Sequence, residues 1–106
     1  MLVSTARIPT DRASRYLVHL CRHFANKVPA EWSDEHGVAD FGWGTCVLAV
    51  GDGHLDLRAE APDAEGLGRV EFVVADHAER FGHRDGVRVI WQRDDTEPPG
   101  SYVSLG

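Results

Sequence analysis

Apolar residues recur at helical spacing along one long stretch, from Asp63 to Gly82. Leu67, Val70, Val74, Ala78 and Phe81 share a face there, with Val73 and His77 at its edges. Pro62 and Asp63 stand where a helix begins, and Gly82 stands where a C′ glycine ends one. An earlier helix is expected from a cap at Thr10 or Asp11 to about Asn26. Its apolar face is Ala13, Tyr16, Leu17, Leu20, Cys21 and Phe24. Its opposite face is Arg12, Arg15, His19, Arg22, His23 and Asn26, an unusually basic outside.

Elsewhere the period is two. Residues 3–9 alternate, with Ala6 and Ile8 on one side and Pro9 as the stop. Residues 29–33 and 38–41 flank the polar turn Asp34-Glu35-His36-Gly37, which predicts a hairpin. A four-residue loop sets Trp32 against Ala39 and Ala30 against Phe41. It also opposes Glu31 and Asp40, a like-charge pair that a sheet disfavours. Residues 45–50 and 54–60 flank Asp52-Gly53, a strong hairpin signal. A two-residue loop pairs Val50 with Leu55, Leu48 with Leu57 and Cys46 with Ala59, all on one side. Between the hairpins, across Phe41 to Gly44, alternation slips by one residue. A bulge or kink at the glycines restores it.

Val87, Val89 and Trp91 predict a last strand over 87–91. The chain then turns rich in Asp, Glu, Pro and Gly. We expect one domain over 1–93 and an irregular tail over 94–106. The order is β-α-β-β-β-β-α-β, or β-α-β-β-β-α-β if 38–50 is continuous. Strands grouped between two helices predict an α+β two-layer sandwich. Its sheet is mostly antiparallel, with both helices on one face, as a ferredoxin-like variant.

Charge narrows the function. The chain carries a formal −6. Residues 1–30 hold five Lys/Arg against Asp11 alone (+4), and the remainder holds six against sixteen (−10). That balance excludes a nonspecific nucleic-acid binder, which needs a basic footprint. No run suits a membrane span or an apolar secretion signal, so a cytoplasmic protein is expected, a monomer or homodimer. Cys21 and Cys46 are too few for a disulfide scaffold and read as small buried hydrophobes of a reducing compartment.

Two groups of residues carry candidate chemistry. His77 interrupts an apolar stripe. Either it lines a ligand pocket with Cys46 and Trp43, or it is a core histidine bonded to a backbone carbonyl or a carboxylate. His19 and His23 have a chelating i, i+4 spacing, but no third ligand or following Glu is indicated, so no metal site is assigned. Gly66-Leu67-Gly68 lacks the G-x-G-x-x-G spacing, and no cofactor motif or nucleophile elbow is legible. Arg12, Arg15, His19, Arg22 and His23 together form a candidate docking face for a protein partner or an anionic small molecule. It should strengthen as histidines charge below about pH 6.5.

Several segments resemble a bacterial family, domain of unknown function 2218. They are Thr5-Ala6-Arg7, Tyr16-Leu17 with Leu20-Cys21-Arg22-His23-Phe24, Phe41-Gly42-Trp43-Gly44-Thr45-Cys46, Leu55 to Ala61, Val73 to Gly82, and Trp91. The resemblance spans residues 4–93, and His77-Ala78-Glu79-Arg80-Phe81 is its most specific element, with Ala78 in place of a leucine. It implies a small domain without an established activity. It is also similar to a segment that accompanies siderophore-interacting flavin reductases, which implies an accessory role near iron or redox handling. Two classes of function stay open: such a binding or accessory domain, and a small enzyme or cofactor binder around His77 and Cys46.

Overall fold

The two amphipathic stretches form two helices beside six strands in this computed structural model, which describes residues 1–94. In chain order they are β1 (Leu2–Pro9), α1 (Ala13–Phe24), β2 (Ala30–Trp32), β3 (His36–Asp40), β4 (Thr45–Gly51), β5 (His54–Ala61), α2 (Ala64–Phe81), a 3-10 turn at His83–Asp85, and β6 (Gln92–Asp94). The sheet order is β2-β3-β4-β5-β1-β6, and all five ladders are antiparallel. Both helices cover one face. Ala6 and Ile8 of β1, Cys46 and Leu48 of β4, and Leu55 to Ala61 at alternate positions of β5 meet Leu17, Leu20, Val70 and Val74 in one buried cluster. No helix among the described residues is long and apolar enough to cross a membrane.

The Asp52-Gly53 hairpin has the expected register. Leu48 pairs with Leu57, Val50 with Leu55 and Cys46 with Ala59. Gly53 takes a φ of 81°, which an L side chain resists. The helix starts follow local chemistry. The Asp63 side chain accepts from the Gly66 amide at 2.7 Å and caps α2. The α1 start differs from expectation: the Thr10 hydroxyl accepts from the Arg12 amide at 3.0 Å, and the helix begins only at Ala13.

Two further expectations are corrected. The first hairpin is shifted by two residues, pairing Ala30 with Ala39, Glu31 with Val38 and Trp32 with Gly37. Ser33 makes the difference. Its amide donates to the His36 carbonyl at 2.7 Å, and its Oγ accepts from the Glu35 and His36 amides. The turn therefore closes one residue earlier, and Glu31 no longer opposes Asp40. Gly37 is consequently a strand residue against α1, where a Cβ would come within 2.5 Å of the Cys21 sulfur.

Four strands separate the helices, the longer of the two expected orders, because the Gly42–Gly44 bend interrupts 38–50. Second, residues 87–91 form no strand. Their polar bonds go to α2: the Val89 amide donates to Glu79 at 2.8 Å, and the Trp91 indole donates to the Glu71 carbonyl at 3.1 Å. Ladder pairing starts only at Gln92, so Arg93 and Asp94 belong to β6. The rest of the expected tail, 95–106, lies outside the described residues. Gly82 ends α2 with an ordinary φ of −93°. It is glycine for lack of room, since a Cβ would strike Val87 and approach the Tyr16 hydroxyl to 2.7 Å.

Candidate functional site

The bend between β3 and β4 builds one wall of the site. The Phe41 amide donates to the Gly44 carbonyl at 2.8 Å, and Asp40 accepts from the Gly42 amide at 2.9 Å. Gly42 sits at φ 88°. Gly44 is buried against α2 and β5, where a Cβ would meet Val70 at 2.6 Å and the Glu60 carbonyl at 2.9 Å. This close approach sets Trp43 beside α2. Its ring stacks on Phe41 at 5.3 Å and 18°, and the Arg69 guanidinium lies 5.8 Å from the ring centre.

The other wall is the α1–α2 seam. Phe24 meets Phe41 edge-on at 5.3 Å and His77 edge-on at 5.4 Å. His77 is half-buried, and its Nδ1 lies 2.7 Å from the Val73 carbonyl. A carbonyl only accepts, so Nδ1 carries a proton, and in the neutral ring Nε2 is the acceptor. His23 packs on His77 at 4.5 Å. His19 stacks on Phe81 at 3.8 Å and 20°, and Tyr16 meets the other edge of that cluster. The rings of Tyr16, Phe81, His19, His23, His77, Phe24, Phe41 and Trp43 thus form a continuous run along the seam. Within it, Phe24, Phe41, Trp43, Val73 and His77 enclose an open cleft of about 300 Å³, with His23, Asn26, Lys27 and Val28 completing the lining.

The structure brings His77 and Trp43 together and leaves Cys46 elsewhere. Cys46 is fully buried in the sheet between Ala39 and Ala59. Burial pushes its thiol up to about 12, with Cys21 close enough to add to the effect. Burial likewise pushes Cys21 to about 11. Both are protonated at neutral pH and poor nucleophiles. Among the described residues, no three His, Cys, Asp or Glu side chains converge to hold a metal.

The α1 face is divided too. His19 and His23 belong to the seam. Arg12 is held by Asp85 at 2.9 Å, whereas Arg15 and Arg22 form no ion pair among the described residues. Phe24 and Phe41 as cleft walls were not legible as site residues. The only signal was Phe41-Gly42-Trp43-Gly44, two aromatics in a bend too tight to bury both.

Burial lowers the His19 pKa, and His23 and Arg22 lower it further. Charging of His19 is therefore delayed below the ordinary histidine range. The linkage has a definite sign. Stability from neutral His19 is present above the unfolded-state value and is lost as pH falls through it toward the lowered folded value. Between about pH 7.5 and about pH 5, a His19→Gln variant should lose less stability than the parent in chemical denaturation. Equal losses would refute the shift.

A family model described as "Uncharacterized protein conserved in bacteria (DUF2218)" matches residues 5–92. The chain is also similar to a solved structure, the NMR structure of PA4090 from Pseudomonas aeruginosa. The two are 34% identical with a TM-score of 0.73, over 87% of this chain and 96% of that one. No curated protein matches this chain.

Proposed function

We propose a binding function for this chain, which belongs to the DUF2218 family of uncharacterized proteins conserved in bacteria. Its ligand is a small, planar, mostly apolar molecule carrying an acidic group. The observation behind this reading is the stacked Phe41–Trp43 pair, which opens with Phe24 and His77 onto one cleft of about 300 Å³. Ligand sites are typically apolar concavities of about this size or larger, with a few polar groups that set orientation. Here Lys27 supplies a cation and His77 Nε2 an acceptor.

The alternative of a small enzyme has less support. The bonded partner of His77 is a backbone carbonyl, and its ring neighbours are His23 and Phe24; among the described residues, no nucleophile or carboxylate is bonded to it to complete a catalytic set. Cys46 lies outside the cleft. The iron or redox association rests on resemblance alone and does not enter this reading. A cytoplasmic setting accords with two free buried thiols.

Native mass spectrometry of the gently purified protein tests the proposal. A co-purifying small molecule should be retained by the parent and by Trp32→Ala, whose ring lies on β2. Trp43→Ala should weaken retention about tenfold, roughly 1.4 kcal/mol for one lost ring contact. Unchanged retention in Trp43→Ala, or no retained molecule on the parent, would count against the cleft.

A further inference from the structure

A second concavity lies at the other end of the ring run, where the start of α1 meets the end of α2 and the following 3-10 turn. It measures about 600 Å³ and is lined by Arg12, Arg15, Arg80, Arg84 and His83, with Asp85 among them. Four arginines from three segments line it, in a chain whose formal charge is −6. Only part of that charge is neutralised locally. Arg12 donates to Asp85 at 2.9 Å, and the same oxygen accepts from the Tyr16 hydroxyl at 2.8 Å. Arg80 lies 3.3 Å from Asp76. Arg15 and Arg84 have no ion pair among the described residues.

We propose that this arginine cleft binds a phosphate-bearing small molecule. The guanidinium fork matches phosphate oxygens in pairs, which an ammonium cannot do. Several forks around a concavity favour a compact polyanion over a broad acidic protein surface. Arg12 is prepositioned: its bond to Asp85 holds the side chain in place and leaves other N–H donors uncommitted. The site is separate from the aromatic cleft. Arg80 and Phe81 border both the arginine cleft and a smaller hollow of about 240 Å³, and that hollow reaches the aromatic cleft at His23 and His77.

Pyrophosphate is the probe, titrated into the full chain at constant ionic strength and followed by amide chemical shifts. Saturable shifts centred on residues 12–16 and 80–85 are expected. Arg15→Gln/Arg84→Gln should weaken binding about tenfold or more. Arg22→Gln, on the same helix outside the cleft, should change it less than about twofold. Arg84→Lys keeps the charge and removes the fork, so it should weaken binding partway even where the double variant folds poorly. Trp43→Ala should bind pyrophosphate like the parent. Absence of saturation, an equal effect of Arg22→Gln, loss of binding in Trp43→Ala, or tighter binding of an acidic peptide of equal charge would each overturn the proposal.

Discussion

Leu57→Ala is expected to cost about 3–5 kcal/mol, near the top of the range for truncating a buried leucine. Leu57 is 1% exposed and lies on β5, with β4 on one side and β1 on the other. Its cross-strand neighbours are Leu48 and Ala6, both buried. Ladders on both flanks hold the backbone, and both helices pack over this face, so the vacated volume cannot collapse. Small domains have about 5–15 kcal/mol of total stability, so the variant should sit close to unfolding. Urea denaturation with an unchanged m-value checks this. A loss under about 1 kcal/mol would mean the sheet relaxes around the site.

The second large effect concerns two glycines of one helix that should respond with opposite signs. Gly→Ala within a helix ordinarily stabilises by up to about 1 kcal/mol. Gly68→Ala should behave so, since the nearest atom to an added Cβ is the tip of Arg93 at 3.6 Å. Gly66→Ala should instead cost about 1–3 kcal/mol. An added Cβ there would lie 2.5 Å from the Trp43 carbonyl oxygen, which is backbone and cannot swing aside, and 3.2 Å from Ala61. Relief would require the Gly42–Gly44 bend to lift off α2, and that bend carries Trp43. The variant should therefore also weaken any ligand held in the aromatic cleft. Thermal melts of both variants decide the matter. Stabilisation by Gly66→Ala would show that the bend is not seated on the helix as described.

Much of the fold was legible because local signals agreed. Asp52-Gly53 and the alternation around it specified the β4–β5 register, since a slip by one residue would expose Leu48 and Leu57 together. The β2–β3 hairpin was misread because its turn is closed by side-chain bonds from Ser33, which loop length does not reveal. The 87–91 segment has strand composition, but its amide and indole bonds find acceptors on α2. Of the candidate pocket, His77 and Trp43 share a cleft while Cys46 does not, because facing the core and facing a cleft look identical in a period-two pattern.

By itself, the sequence determined which face of each element is buried: the stripes of α1 and α2, the inward positions of β1, β4 and β5, and the cap at Asp63. These follow from side-chain period and turn chemistry, which act over a few residues. Only the tertiary structure decided what covers what. Phe41 and Trp43 share a cleft with Phe24 and His77, and Arg12 and Arg15 share one with Arg80 and Arg84, from segments far apart in the chain. Periodicity reports that a face is buried and carries no address for its partner. That partner is set by the bend at Gly42–Gly44 and by how closely glycines let backbones approach.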